Sequence, residues 1–183
     1  MTVTQIGTYP RHGVFIDASA IISDDGLYRY QLTRKWSDAA PMTFAMLNPS
    51  TADAAKDDPT IRRCMGFARR EGCGGIVVVN LFGLRVTRPV HLFDKTVADD
   101  PNGPENVHHV DDAIDYALDH LAPVVCAWGA AKNVEKSPAY VGWFAASDDD
   151  DSWLSFQCLG TTADGSPRHP LYVKADQPLE VWP

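Results

Sequence analysis

The chain has 183 residues, of which 45% are hydrophobic and 22% are charged, and its formal net charge is -8 at pH 7. This length predicts a single domain over residues 1–183, because chains usually divide into separate cores only beyond about 250 residues. The composition excludes a wholly disordered chain. Without a continuous apolar run of about 18 residues the sequence predicts no membrane partner. The first residues lack the pattern of a signal peptide, so we expect a cytoplasmic protein.

The first forty residues predict an N-terminal β-hairpin that extends the core of the domain. Gly13 to Ser23 and Leu27 to Lys35 are apolar stretches with interspersed polar positions. Asp24-Asp25-Gly26 lies between them and is typical of a turn. We therefore expect two paired strands over residues 1–40.

Short, continuous apolar runs follow at Met42 to Leu47, Ile76 to Val79 and Val124 to Trp128. Runs of this kind are typical of strands that are covered on both faces, as parallel sheets require. Trp153 to Leu159 predicts a further core strand near the end of the chain.

Helical patterns separate the predicted strands. Asp58 is a predicted N-cap, with Pro59 at the first helical position. A second helix, with an apolar stripe, is predicted to begin near Pro104, and a third lies between Lys136 and Ala146. This alternation predicts an α/β fold, a three-layer sandwich with a central, mostly parallel sheet.

Polar loops follow the four predicted core strands. Ligands bind outside the carboxyl ends of the strands in open α/β sheets. The loops supply amides, hydroxyls, aromatic rings, arginines and one histidine, which together predict a polar pocket with few acids. They are Asn48 to Asp53, Asn80 to Arg85, Trp128 to Lys132, and Leu159 to Leu171.

Positive charge is concentrated in one part of this acidic chain. Between Thr60 and Phe93 the sequence has six arginines and a single acid, Glu71. The acids gather elsewhere, including a run at Asp148 to Asp151 that is typical of a solvated loop. This distribution favours a nucleic-acid partner despite the net charge. The six arginines are Arg62, Arg63, Arg69, Arg70, Arg85 and Arg88.

The remaining reactive residues predict no metal site and no cofactor. His108 and His109, with Asp111 and Asp112, fall at helical positions typical of a solvated face. The sequence has no phosphate-binding loop and no dinucleotide fingerprint, and nothing in it indicates an obligate protein partner. Four cysteines without a C-x-x-C pair are typical of buried thiols; they are Cys64, Cys73, Cys126 and Cys158.

The four loop blocks, in this order, resemble the motifs of the uracil-DNA glycosylase-like superfamily. Within it, the segments LNPSTAD and DDPTIRRC resemble the signature of a bacterial and phage family. The resemblance covers Met42 to Val173 and leaves the N-terminal hairpin outside. It implies an enzyme that binds DNA and flips a base out of the helix. The enzyme would then hydrolyse the N-glycosidic bond and leave an abasic site.

The resemblance also implies roles for individual residues. Asn48-Pro49 matches an asparagine–proline pair whose asparagine positions the attacking water. Asn80 matches an asparagine that reads the flipped base, and Trp128-Gly129 matches a small-residue turn. His169-Pro170 matches a pair on the loop that enters the DNA minor groove, and His169 would donate to the departing base.

The chemistry of base release extends these roles to a set of candidate site residues. Asp53, Asp57 and Asp58 are candidates for a general base, and Phe82 would stack on the base. The predicted catalytic residues are Asn48, His169 and Asp53. The predicted base-binding residues are Pro49, Ser50, Asn80, Phe82, Trp128 and Gly129. The predicted DNA-binding residues are Arg62, Arg63, Arg85, Arg168 and Lys132.

The sequence also departs from the superfamily pattern. Uracil-specific members carry an activating aspartate near Asn48 or Pro49, where this chain has no acid, and Leu171 replaces the serine after the H-P pair. The cysteine spacing does not match that of the iron–sulfur members. These departures argue against uracil as the substrate. The phage members of the resembled family imply a modified or foreign base instead, including a hypermodified phage base attacked in antiviral defence.

Alternative interpretations remain at the level of the sequence. Asn48 and Asn80 also suit strand ends and turns, His169 suits a turn between prolines, and Phe82 and Trp128 suit an apolar core. At the level of function, the alternatives are a noncatalytic module that binds nucleic acid or nucleotides, and a small-molecule N-glycoside hydrolase.

Overall fold

The computed structural model describes residues 2–6, 17–145 and 156–183, which form one eight-stranded sheet with helices on both faces. The strands are β1 (Thr2–Ile6), β2 (Asp17–Ser23), β3 (Arg29–Lys35), β4 (Pro41–Met46), β5 (Gly75–Asn80), β6 (Val124–Cys126), β7 (Gln157–Cys158) and β8 (Glu180–Val181). The α-helices are α1 (Pro59–Arg70), α2 (Asn106–Asp119) and α3 (Pro138–Trp143). Short 3-10 turns lie at Pro89–His91, Val134–Lys136 and Pro170–Tyr172.

The sheet is mixed, with the strand order β1-β2-β3-β5-β4-β6-β7-β8. The four strands β5, β4, β6 and β7 are parallel, whereas β1, β2 and β3 on one side and β8 on the other pair antiparallel. The prediction of a mostly parallel sheet is therefore wrong for the whole sheet, although it holds for its centre. The antiparallel edges arise because the predicted N-terminal hairpin, β2 and β3, continues the sheet through direct pairing of β3 with β5.

Two apolar cores lie on opposite faces of the central strands. Val77 and Val79 of β5 face the core that α2 and α3 cover, and the alternate residues Ile76 and Val78 face the core that α1 covers. All six residues of β5 are buried. Burial of a valine or isoleucine side chain contributes roughly 1.5–3 kcal/mol, which explains why these strands are continuous apolar runs.

Helix α1 begins as the sequence predicts. The side chain of Asp58 accepts a hydrogen bond from the backbone N–H of Ile61 at 2.9 Å, and Pro59 is the first helical residue. The buried face of the helix packs on the sheet, and this fixes its first turn near the ends of β4 and β5. The buried residues are Ile61, Cys64, Phe67 and Ala68.

The other predicted elements are found where the structure describes them. Helices α2 and α3 match the second and third predicted helices, apart from Ala146, which lies outside the described residues. Strand β7 occupies only the end of the predicted strand at Trp153 to Leu159, and residues 148–155, including the acidic run, also lie outside the description. Of the described helices, none is long and apolar enough to cross a membrane.

Candidate functional site

A cleft of about 1200 Å³ opens at the carboxyl ends of β4, β5 and β6. Met46 of β4 stands opposite Asn80 of β5 in the parallel register, so the loops that follow both strands leave the sheet at one edge. Ligands bind at this edge in open α/β sheets. The cleft is therefore located where the order of the sequence blocks predicts a pocket.

The cleft brings together eight of the fourteen residues predicted to be catalytic, base-binding or DNA-binding. They come from four separate loops. The eight are Asn48, Ser50, Asn80, Trp128, Gly129, Lys132, Arg168 and His169. Six other predicted residues do not line the cleft: Pro49, Asp53, Arg62, Arg63, Phe82 and Arg85.

The side-chain amide of Asn48 is held in one orientation. Its Nδ2 donates to the carbonyl oxygens of Pro49 at 2.9 Å and Val86 at 2.8 Å. Because both partners are acceptors, the NH₂ group must face them, and the amide oxygen Oδ1 of this cleft-lining residue is left as an acceptor. Asn48 thus stabilises the loops after β4 and β5 and also presents a fixed acceptor.

The side chain of Asn80 is 1% exposed, and its Nδ2 has no hydrogen-bond partner among the described residues. Its backbone is well fixed, since Asn106 Nδ2 donates to the Asn80 carbonyl oxygen at 3.0 Å. A buried donor left without an acceptor costs about 1–3 kcal/mol. A rigid donor of this kind in a cleft points to a ligand that supplies the acceptor.

His169 lines the cleft, and its imidazole ring carries one N–H donor. Its Nδ1 accepts a hydrogen bond from the backbone N–H of Leu171 at 3.3 Å. Burial lowers the pKa of the imidazole below its ordinary value, and the carboxylate of Asp58 offsets only part of that shift. The ring is therefore neutral at pH 7, and its proton is on Nε2 because Nδ1 acts as the acceptor.

Gly129 allows the loop after β6 to approach the His169 segment. Its φ of +76° lies in the left-handed region, which favours glycine. Its N–H donates to the carbonyl oxygen of Pro167 at 2.9 Å, and a Cβ at this position would lie 3.4 Å from the Cβ of His169. The Trp128-Gly129 turn therefore positions the histidine-bearing segment.

Asp58 is the one of the three candidate acids that lines the cleft. Its Oδ1 caps helix α1. Asp53 does not line the cleft, because its carboxylate closes a local turn by accepting two backbone N–H bonds, each at 2.9 Å. Asp57 is paired with the buried Arg34 at 3.0 Å. The geometry thus moves the candidate base from Asp53 to Asp58.

Phe82 was predicted to line the pocket but is a core residue. Phe93 lines the cleft instead. Phe82 is fully buried and contacts Phe93 edge to face, with ring centroids 5.3 Å apart. Phe93 lines the cleft and is 36% exposed. Trp128 also lines the cleft, although its ring belongs to a buried aromatic cluster with Tyr140 and Trp182. The sequence gives no periodic signal that separates Phe93 from Phe82.

The predicted DNA-binding cations divide into two groups. Arg168 and Lys132 are exposed and line the cleft. Arg63 instead donates to the carbonyl oxygens of Pro170 and Val173, which fixes the segment after His169. Outside the cleft, Arg62 donates to the Asp57 carbonyl oxygen at 2.7 Å, and Arg85 donates to that of Gly26 at 3.1 Å.

Arg29 is a cleft residue that the sequence analysis missed. It is 3% exposed, lines the cleft, and donates through Nη1 to the carbonyl oxygen of Ala52 at 2.8 Å. Burial lowers the pKa of its guanidinium to about 10. Arg29 begins a strand in which polar and apolar residues alternate, and an arginine at such a position is ordinarily exposed. No sequence signal therefore marks it as a cleft residue.

Within the described part of the chain, no group of three or more histidine, cysteine, aspartate or glutamate side chains is arranged to hold a metal ion. His108 and Asp112 are exposed on α2, with Nε2 and Oδ2 3.5 Å apart. Cys64, Cys126 and Cys158 are buried and Cys73 is half-buried, in agreement with the prediction that the cysteines lie in apolar surroundings.

Residues 29–171 match the model of a protein family described as Protein of unknown function (DUF1643). No curated protein and no solved structure matches the chain. The matched range begins at Arg29 and ends at Leu171, so it contains every cleft-lining residue except Tyr172.

Proposed function

The chain belongs to the DUF1643 family, and we propose that it is a DNA N-glycosylase that acts on a flipped modified or foreign base. One observation carries the proposal. A fixed acceptor on Asn48, an unpartnered buried donor on Asn80 and a neutral imidazole donor on His169 line the same cleft. In the hydrolysis of an N-glycosidic bond, these groups would hold the attacking water, bind the edge of the base and stabilise the departing base.

Asn48 would hold the attacking water. As the base departs, positive charge develops on the sugar in an oxocarbenium-like transition state. Water held by Asn48 Oδ1 would form a bond from its oxygen to C1′ while the C1′–N bond breaks. The bonding electron pair leaves with the base, and Asp58 would accept the proton released by the water. This assigns the cleft carboxylate the role of base.

His169 would stabilise the departing base. Negative charge develops on the base as the bond breaks, and the Nε2–H of a neutral imidazole can donate to it. A single donor preorganised toward such charge stabilises a transition state by about 3 kcal/mol. Burial keeps the ring neutral, and the Leu171 N–H fixes the tautomer that has the donor on Nε2.

The remaining lining residues suit a large base. Asn80 Nδ2 would donate to an acceptor on the base edge, and Phe93 would pack on its face. Ligand pockets of proteins usually have volumes of about 300–1,000 Å³, so a cleft of about 1200 Å³ has room for a nucleobase with a bulky substituent. The cleft would therefore accommodate a modified base as well as an unmodified one.

Features at the mouth of the cleft support DNA as the polymer that carries the base. Arg168 and Lys132 lie there and would contact phosphates. Leu171 and Tyr172 follow His169 and are 41% and 82% exposed. Exposed apolar side chains of this kind insert between base steps in proteins that distort DNA. Because the chain is acidic overall, we expect binding to depend on few phosphate contacts and to weaken with salt.

The proposal is tested by measuring alkali-labile abasic sites in DNA treated with the protein and its variants. Wild-type protein should produce them, Asn48→Ala and His169→Ala should lose most of this activity, and His108→Ala is a matched control because its side chain is exposed on α2. Undiminished activity in both cleft variants would refute the assignment. Salt-dependent DNA binding without abasic sites would favour the noncatalytic module.

A further inference from the structure

Two arginines of β3, Arg29 and Arg34, are buried, and they differ in whether a carboxylate compensates the charge. Arg34 is fully buried, and its Nε donates to Asp57 Oδ1 at 3.0 Å, so a carboxylate compensates its charge. Arg29 forms no ion pair with any carboxylate of the described residues. Burial of an uncompensated cation is costly, so the difference calls for a ligand of Arg29.

The guanidinium of Arg29 retains unused hydrogen-bonding capacity. Nη1 donates to the Ala52 carbonyl oxygen, but the buried Nε finds no acceptor in the described part of the chain. The pKa of about 10 leaves the group protonated at neutral pH. Arg29 is thus a buried cation on the wall of the cleft with at least one N–H that no acceptor of the described residues satisfies.

The charged groups that influence Arg29 do not neutralise it. Asp58 and Asp53 favour its charged form, whereas Arg85 and Arg34 oppose it. Arg29 therefore lies among charges of both signs, and none of the acids in the described residues forms an ion pair with it. An anionic group of a ligand would compensate the charge of Arg29 and would accept a hydrogen bond from its unpartnered N–H.

A second buried donor also indicates a ligand that carries acceptor atoms. Asn80 Nδ2 also lacks a partner, is also buried, and lines the same cleft. Two unpartnered donors together favour a ligand that presents several acceptor oxygens, because amides and guanidinium groups bind carboxylate or phosphate oxygens well.

We propose that Arg29 is a specificity-determining residue that binds an anionic oxygen group, a carboxylate or a phosphate, on the nucleotide that enters the cleft. The inference deepens the proposed function and rests on it for the identity of the ligand as a nucleotide. The anionic group has two possible sources, a substituent on the base or a phosphate of the nucleotide.

Binding of two pairs of small probes distinguishes these sources. Orotate and uracil share a ring but differ by a carboxylate, and deoxyuridine 5′-monophosphate and deoxyuridine differ by a phosphate. Isothermal titration of the wild-type protein should show about tenfold or greater preference for the anionic member of one pair, since a charge-assisted bond is worth at least this factor. A preference within the first pair assigns the group to the base, and one within the second assigns it to the phosphate.

Two variants link the preference to Arg29. Arg29→Gln should abolish it, and Arg69→Gln should preserve it, since Arg69 lies outside the cleft with its guanidinium 4.2 Å from the Trp36 ring centroid. If Arg29→Gln fails to fold, Arg29→Lys keeps the charge without the Nε–H, and it should lower the preference several-fold. No preference in the wild-type protein, or an unchanged preference in a folded Arg29 variant, would overturn the inference.

The binding experiment does not require base release. A preference for anionic probes without glycosylase activity would sustain the role of Arg29 and refute the proposed reaction. Glycosylase activity without such a preference would refute only the role of Arg29.

Discussion

The side-chain amide of Asn48 donates to the carbonyl oxygen of Val86 at 2.8 Å, joining the loops that follow two neighbouring strands. A second bond from the same Nδ2 reaches the carbonyl oxygen of Pro49. The residue therefore combines a structural role with the presentation of an acceptor to the cleft. Aspartate at this position would keep an acceptor oxygen but could donate to neither carbonyl oxygen.

Asn48→Asp should not increase activity, and it should destabilise the protein. The substitution places a carboxylate oxygen against two carbonyl oxygens, so two hydrogen bonds are replaced by repulsion, at a cost of about 1–3 kcal/mol. Urea denaturation measures the change, and Asn48→Ala is the matched control because it removes the donors without adding charge. An aspartate variant as stable as wild type would contradict the observed amide orientation.

Protonation of His169 should make the free energy of unfolding depend on pH. Burial lowers the pKa of its imidazole in the folded state, so the folded protein binds fewer protons than the unfolded chain below the ordinary value of about 6.5. Its contribution is present above that pH and is lost as the pH falls through the folded pKa. Comparison of urea denaturation between pH 7 and pH 5 should show a smaller acid destabilisation in His169→Gln than in wild type.

The same titration can be observed directly by NMR. The imidazole signal of His169 should titrate below the ordinary histidine value of about 6.5 because the ring is buried. A His169 signal that titrates at or above that value would contradict the neutral donor assigned to the cleft.

Asn80→Leu should stabilise the protein and abolish base release. Replacing an unpartnered buried amide with an apolar side chain of similar size removes a desolvation cost of about 1–3 kcal/mol. Stability and activity are then expected to change in opposite directions, as they do where a site is built for a ligand. Calorimetric unfolding measures the first effect and the abasic-site assay the second.

Asn106→Leu is the matched control for Asn80→Leu. Its Nδ2 donates to the carbonyl oxygens of Asn80 and Leu81, whereas its Oδ1 is buried without a partner in the described part of the chain. Its replacement should destabilise the protein because two backbone carbonyl oxygens lose their donor. If both substitutions lower stability equally, Asn80 is an ordinary structural asparagine.

Substitution of Phe82 should mainly lower stability, whereas substitution of Phe93 should mainly weaken ligand binding. Phe82→Ala should lower the free energy of unfolding by about 3–5 kcal/mol because the side chain is fully buried. Phe93→Ala should have a smaller effect on stability and should weaken the binding of nucleobase probes, because the exposed part of the ring faces the cleft. Equal loss of probe binding in folded samples of both variants would contradict this division.

The central strands could be predicted from the sequence because burial on both faces requires continuous apolar residues. The edges could not, since β1 and β8 are largely exposed and carry no such pattern. Their antiparallel pairing depends on long-range contacts, and this is why the sheet is mixed and not mostly parallel.

The composition of the cleft could be predicted only in part. The sequence order brings Asn48, Asn80 and His169 to one sheet edge, as the structure finds. It does not distinguish Asp58 from Asp53, because the difference lies in which carboxylate closes a local turn. Arg29 was missed because burial of a polar strand residue depends on the loops that cover it.

The most direct measurement of the central claim is mass spectrometry of the small molecules released from DNA by the protein. Genomic DNAs of different base composition, including heavily modified phage DNA, are incubated with wild-type protein in ¹⁸O-labelled water. We predict a free base from at least one DNA, ¹⁸O on the sugar left behind, and roughly a hundredfold slower formation of both products with His169→Ala. Intact DNA and no released base from every source would contradict the account.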